Sequence, residues 1–98
     1  MKALLLDGSG ARAIDIENKL EAFQEAVDGY IETLTLVPDE VVMIVNEEGL
    51  LRGLGINPLA TALYGSVIVG VAVVVGIDGE KFCDIPEEYA CHIKLRWA

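Results

Sequence analysis

The chain has 98 residues, which is the length of one domain, so we expect residues 1–98 to share a single core. Its 16 acidic and 7 basic residues give a formal net charge of −9, and the acidic residues are spread along the whole sequence. Such a surface repels phosphate backbones and anionic lipids, which argues against direct binding of nucleic acid.

The first third of the chain predicts a hairpin and a helix. Residues 2–6 and 11–16 flank a turn rich in Gly and Ser and are expected to pair as antiparallel strands. Asn18 to Asp28 carries apolar residues at helical spacing, and Asn18 and Glu21 have the spacing of a capping box. Gly29 follows at a position where helices commonly end in a left-handed residue.

Two strands and an irregular stretch are expected after this helix. Tyr30 to Val37 and Glu40 to Asn46 are predicted strands, joined by a turn at Pro38 and Asp39. The second strand has apolar residues throughout its middle, so both of its faces are expected to be buried. After a further turn, Leu50 to Gly55 predicts an irregular returning strand.

The second half of the chain predicts a short helix, a central strand and a terminal helix. Asn57 is the expected N-cap and Pro58 the first residue of a helix that ends near Tyr64. Val67 to Ile77 is the most apolar run, which predicts a buried strand in the middle of a sheet. Asp84 to Trp97 predicts the last helix. Three apolar residues share one of its faces: Tyr89, Ile93 and Trp97.

The element order that results is ββαββ(β)αβα, where the bracketed strand is the irregular stretch at residues 50–55. This order predicts an α+β fold, built on a small mixed or antiparallel sheet of about five strands. Two longer helices and one short helix complete it. The chain is 53% hydrophobic, which is high for a small monomer, so a homo-oligomer that covers apolar surface is expected.

An uncharged run of 22 residues, Ile56 to Ile77, is long enough to cross a membrane. Polar and turn-forming residues interrupt this run and its second half is β-branched, so we expect no membrane span. The two cysteines, Cys83 and Cys91, and the lack of a signal-peptide pattern at the start predict a cytoplasmic protein with free thiols.

Three stretches carry a resemblance to a known family. They are GYIE at Gly29 to Glu32, NEEG at Asn46 to Gly49, and the helix start at Asn57 followed by IVG at Ile68 to Gly70. Together they resemble a family from phages and mobile elements that is catalogued as domain of unknown function 3846, and the resemblance covers most of the chain. It implies a phage or prophage origin and an accessory role in an infected bacterium. Small acidic phage proteins often counter host defence, so an anti-defence role is the implied expectation.

The strongest candidate for a ligand site is the loop from Arg52 to Asn57. Arg52 offers a guanidinium group, and Gly53 and Gly55 allow backbone N–H groups to approach an anion. Asn57 begins a helix whose dipole favours negative charge. The spacing matches neither a dinucleotide fingerprint nor a P-loop, and a loop whose glycines only permit turning, with Asn57 as a helix cap, is the commoner explanation.

Three further residues complete the predicted ligand-binding set. Tyr30 and Tyr64 are aromatic residues placed to stack on a nucleobase, although core or edge packing is the commoner role of such residues. The side chain of Asn46 is expected to hydrogen-bond either a ligand or, as is commoner, the backbone of its own turn. The alternatives stay open from the sequence alone.

No catalytic, metal or cofactor site is recognisable in the sequence. Cys83, Cys91 and His92 supply at most three zinc ligands at an unusual spacing, and neighbouring residues of a helix point apart. No serine occupies a nucleophile elbow and no acid and base are paired. We therefore expect no metal, no cofactor and no enzyme activity.

Three functions remain open from the sequence. The first is a non-catalytic homo-oligomer that sequesters a small anionic ligand, such as a signalling nucleotide. The alternative is an acidic protein–protein inhibitor of a host defence protein. A hydrolase of a nucleotide signal ranks last, because no general base is evident.

Overall fold

A six-stranded antiparallel sheet with helices on both faces organises the chain. The computed structural model describes residues 1–97, and for Arg96 and Trp97 the backbone only. The elements in chain order are β1 (Lys2–Asp7), β2 (Gly10–Asp15), α1 (Leu20–Val27), β3 (Ile31–Val37), β4 (Val41–Asn46), α2 (Pro58–Tyr64), β5 (Ala72–Asp78), β6 (Lys81–Cys83) and α3 (Glu87–Trp97). The predicted α+β class and element order are confirmed.

Strand β5 occupies the middle of the sheet, whose order is β2-β1-β5-β4-β3. One side of β5 pairs with β4, and the other side pairs first with β1 and then with β6. Its buried residues, Ala72 to Val75, have no solvent-accessible surface. The outermost strands of the sheet are therefore β2 and β3, each of which pairs with a single neighbour.

Alternation along the strands divides the core between the two faces of the sheet. On one face, Leu6, Met43 and Val74 pack with residues of α2 and α3, including Leu59 and Ile93. On the opposite face, Ile44 and Val73 pack against α1 through Phe23 and Val27. Every residue of β4 is buried, as the sequence predicted. We call these two surfaces the α2/α3 face and the α1 face.

The central strand is shorter than expected, because it begins at Ala72 and not at Val67. The preceding residues form only one isolated bridge, between Val69 and Ile56. Gly70 then turns the chain with a left-handed φ of 77°. The peptide groups of Ile68 bond to α2 and its cap, which holds this segment away from the sheet.

Helix α1 starts later than its predicted capping box. Lys19 occupies the cap position and makes no side-chain bond to the helix. The amide of Asn18 instead donates to the carbonyl oxygen of Phe82, at 2.8 Å. A partner distant in sequence thus replaces the local cap that the spacing suggested.

The end of α1 also differs from the prediction. Asp28, and not Gly29, adopts the left-handed conformation, with a φ of 59°. Gly29 is required for another reason, since a Cβ at that position would lie 2.7 Å from Nδ2 of Asn46 and 3.1 Å from an Arg52 guanidinium nitrogen. The glycine permits close approach of the loop after β4 to this helix end.

The structure differs from the prediction in smaller ways as well. Residues 50–55 form turns and loop rather than an irregular strand. The short segment Lys81–Cys83 pairs with the end of β5, which gives six strands where about five were expected. Ile93 is fully buried, whereas the predicted packing of Trp97 concerns a side chain outside the part that the structure describes. Within residues 1–97, no helix combines the length and the hydropathy that a membrane span requires.

Candidate functional site

Asn46, at the end of β4, is buried and ties the following loop to helix α1. Its Nδ2 donates to the carbonyl oxygens of Val27 and Asp28, at 3.0 and 3.2 Å. Its Oδ1 accepts the N–H of Glu48 at 2.8 Å. The amide uses both donor hydrogens and one acceptor on protein backbone, so its main role is to anchor the loop.

Arg52 lies beside Asn46 and contacts the same helix end. One guanidinium nitrogen donates to the carbonyl oxygen of Asp28, and another lies 3.0 Å from the Asp28 carboxylate. The arginine side chain is 41% exposed and the aspartate side chain 89% exposed. An anion that approached Arg52 would therefore compete with a carboxylate already paired to it.

Asn57 lies at a separate anchoring point, against β1. Its Nδ2 donates to the carbonyl oxygens of Leu6 and Gly70, at 3.0 and 2.9 Å. Its Oδ1 accepts the N–H of Ala60 at 3.1 Å, which confirms the predicted N-cap of α2. With 3% of its surface exposed, this residue is buried, and its hydrogen bonds join the loop to β1 and α2.

Several backbone donors of the predicted anion loop bond to backbone carbonyl oxygens. The N–H groups of Arg52, Gly53 and Asn57 donate to carbonyl oxygens of Glu48, Leu50 and Ile68. The carbonyl oxygen of Gly55 accepts the N–H of Gly70 at 2.8 Å. Gly53 has a left-handed φ of 69°, which explains its presence in a turn. Anion binding by this loop stays a prediction, and binding through the N–H groups of Arg52, Gly53 or Asn57 would require these bonds to be exchanged for the ligand.

The two predicted stacking residues lie at the ends of different elements. Tyr30 precedes β3 and is 65% exposed, whereas Tyr64 is the last residue of α2 and is 39% exposed. Asn46 and Arg52 therefore share one anchoring point at the end of α1, and the backbone of Tyr30 lies beside it, since its carbonyl oxygen accepts the N–H of Glu47 at 2.9 Å. Asn57 and Tyr64 lie elsewhere, at the two ends of α2. The structure joins only part of the predicted set into one constellation.

A groove on the α2/α3 face, next to the outer strand β3, was not predicted. It has a volume of about 330 Å³ and lies between β3, the end of β4, the turn at residues 49–51 and the segment at residues 67–69. Its apolar lining comprises Leu34, Val45, Leu50, Leu51, Val67, Ile68 and Val69. Leu50, Leu51 and Val67 are 76%, 88% and 60% exposed. We call this cleft the β3 groove.

Two carboxylates, Glu32 on β3 and Glu47 after β4, also line the β3 groove. Both residues are exposed, and the residues that form the groove include no lysine, arginine or histidine. The local charge therefore has the same sign as the net charge of −9. This combination of exposed aliphatic side chains and unopposed acidic side chains suits an apolar ligand that carries positive charge.

The walls of the β3 groove are held by specific contacts. Gly49 donates to the carbonyl oxygen of Asn46 at 3.3 Å and accepts the N–H of Leu54 at 3.1 Å. A Cβ at Gly49 would lie 2.7 Å from a methyl group of Val69, so the glycine allows the two walls to meet. On the other wall, Ile68 N–H donates to the Thr61 hydroxyl at 2.9 Å. The exposed leucines thus project from an anchored loop.

A signal for this groove is present in the sequence. Leu50 and Leu51 follow a turn of the form Asn-Glu-Glu-Gly, and two adjacent leucines in a turn have no sheet or helix face to bury them. The irregular strand predicted for residues 50–55 gave no indication of their exposure. Within the described part of the chain, no three His, Cys, Asp or Glu residues come together as metal ligands.

Comparison with models of known families identifies the family of this chain. The family model described as "Domain of unknown function (DUF3846)" matches residues 1–98, so the protein belongs to that family. The resemblance seen in the sequence is thereby confirmed. A search of curated proteins and a search of solved structures each return no match.

Proposed function

We propose that this protein is a non-catalytic binding protein whose β3 groove docks an apolar and basic segment of a partner protein. The observation that carries the proposal is the exposure of Leu50, Leu51 and Val67 on anchored walls, beside carboxylates that no cation in the groove opposes. Grouped exposed apolar side chains commonly mark interaction surfaces.

Apolar contact alone supports only a weak complex. Full burial of one aliphatic side chain contributes about 1.5–3 kcal/mol, whereas association costs about 4–15 kcal/mol in lost freedom of motion. Three exposed aliphatic residues therefore leave little net affinity. Charge attraction at Glu32 and Glu47 must supplement them, which is why we propose a basic partner segment.

A second copy of this chain is a less suitable occupant. Each copy carries a net charge of −9, so a second copy adds repulsion at a groove that is already acidic. The homo-oligomer expected from composition consequently ranks below a basic partner, and the molar mass in solution tests it directly.

The phage or prophage setting implied by the resemblance suggests which partner to seek. We propose a protein of the bacterial host, and within that group a defence protein, bound in the host cytoplasm. This is the inhibitor alternative of the sequence analysis. Sequestration of a nucleotide signal ranks second, because the carboxylate of Asp28 already pairs with Arg52.

Affinity capture with two matched variants tests the proposal. Leu51 in the groove and Leu95 on α3 are both 88% exposed, so Leu51→Asp and Leu95→Asp change charge and apolar area equally. Immobilised wild type and Leu95→Asp are expected to retain the same host protein in stoichiometric amount. Leu51→Asp is expected to lose it. Equal capture by all three proteins, or no stoichiometric partner, would refute the proposal.

A further inference from the structure

The outer edge of β3 borders the β3 groove and pairs with no other described strand. We infer that the segment docked in the groove binds as an added β-strand along β3. This inference rests on the proposed function and specifies the conformation of the partner. It requires free backbone groups on β3, an edge with little protection, and side chains of an added strand that reach the groove.

The hydrogen-bond pattern identifies the backbone groups that point outward. The N–H of Glu47 donates to the carbonyl oxygen of Tyr30 at 2.9 Å, and these two residues continue the register of β3 with β4. Bonded and non-bonded pairs alternate in an antiparallel ladder, so Glu32 and Leu34 bond to β4. The N–H and C=O groups of Ile31, Thr33 and Thr35 therefore point away from the sheet.

The edge has little of the protection that is usual for an outer strand, and Glu32 is its one charged residue between Ile31 and Thr35. Proteins blunt such edges with lysine, proline or early bulges. From Ile31 to Thr35 the sequence contains neither lysine nor proline, and the irregularity of β3 comes only between Thr35 and Val37. The opposite edge of the sheet, β2, carries Arg12 and contacts α3. Strand β3 also contacts helices, α1 and α2, but between Ile31 and Thr35 it carries no cation that would repel a basic segment.

Side chains of an added strand would alternate between the two faces of the sheet. Those on the α2/α3 face would lie beside Glu32 and Leu34, which line the groove. A basic residue beside Glu32 and an apolar residue beside Leu34 match both charge and hydrophobicity. The partner segment is therefore a strand with apolar and basic residues two positions apart. On its other face, it would lie beside the exposed Thr33 and Thr35.

A synthetic peptide provides the test, namely Thr-Leu-Thr-Lys-Thr-Leu-Thr-Lys with blocked ends, whose leucines and lysines share one face of a strand. Its binding is measured by isothermal titration with wild-type protein and with Thr33→Pro. Proline removes the outward N–H without removing a bond to β4. The matched control, Thr33→Val, keeps that N–H. We expect Thr33→Pro to weaken binding about tenfold or more and Thr33→Val to leave it within about twofold.

Methylated peptides give an independent result if Thr33→Pro does not fold. In an antiparallel added strand, threonine N–H groups of the peptide donate to β3, and those of leucine and lysine point away. N-methylation of the threonines is expected to abolish binding, while N-methylation of the leucines and lysines preserves it. The reverse pattern supports a parallel added strand. Equal effects of the two methylations overturn the inference.

The outcomes separate this inference from the proposed function. Peptide binding that survives Thr33→Pro but is lost in Leu51→Asp leaves the groove as a docking site and overturns the added strand. Peptide binding that is indifferent to both variants overturns both ideas. If the peptide does not bind at about 1 mM while Leu51-dependent capture of a host protein persists, only the added strand is refuted.

Discussion

Replacement of Asn57 by alanine tests how firmly the loop between β4 and β5 is anchored. The side chain donates to the carbonyl oxygens of Leu6 and Gly70 and accepts from the N–H of Ala60. Each lost bond to a carbonyl oxygen is expected to cost about 0.5–1.5 kcal/mol. Loss of the helix cap adds about 0.5–2 kcal/mol. Asn57→Ala should therefore lower the free energy of unfolding by about 1.5–5 kcal/mol, a large fraction of a typical total.

Urea unfolding followed by circular dichroism measures this change. Asn18→Ala is a matched control, because that side chain is exposed and makes one hydrogen bond, to the carbonyl oxygen of Phe82. It should lower the free energy of unfolding by less than about 1 kcal/mol. If Asn57→Ala destabilises the protein no more than Asn18→Ala does, the anchoring role given to Asn57 is wrong.

Three other predictions concern packing, anion binding and pH. Gly76→Ala should lower the free energy of unfolding in urea by about 1–3 kcal/mol or more, because the new Cβ would press on the Asp84 carbonyl oxygen. Gly55→Ala is the control: its Cβ would enter open space, so this change should be nearly neutral. Asp28→Asn removes the carboxylate that pairs with Arg52 but keeps the bond from Arg52 to the backbone carbonyl oxygen of residue 28. Thermal-shift assays with cyclic and ADP-ribose-type nucleotides should still show no stabilisation, and a clear shift would instead favour nucleotide sequestration. Hydrogen bonds from the hydroxyl and N–H of Ser9 hold the pKa of Asp7 below its ordinary value of 3.8, so NMR titration of Ser9→Ala should show a higher pKa. Because this pKa is lower in the folded state, the stability that Asp7 contributes is present above about pH 4 and is lost at lower pH. The unfolding free energies of wild type and Asp7→Asn should therefore converge at low pH.

Local patterns in the sequence were sufficient to predict most of the fold. The apolar run in β4 predicted a strand buried on both faces, and Asn57 followed by Pro58 predicted the start of α2. Both signals lie within a few neighbouring residues. The capping spacing at Asn18 was equally local, but the Phe82 carbonyl, distant in sequence, takes its side chain. The apolar stretch before Ala72 departs from the predicted strand because its peptide groups bond to α2 and to residues 55–57 and not to a strand.

The site was harder to predict because its properties depend on contacts between distant segments. The sequence shows that Arg52 is present but not that Asp28 pairs with it across 24 positions. It suggests that Asn46 belongs to a turn but not that its amide reaches the end of α1. The leucines at 50 and 51 resemble core residues, and their exposure follows only from where the anchored loop ends.

An NMR titration tests most directly whether the β3 groove is the docking surface. The wild-type protein, labelled with ¹⁵N, is titrated with the alternating Thr-Leu-Thr-Lys peptide while amide shifts are recorded. We predict shifts at Thr33, Leu51 and Val67, beside the groove, with the amide of Leu95 unchanged. The absence of shifts at these three residues, or shifts at acidic side chains over the whole surface, would contradict a docking surface at the β3 groove.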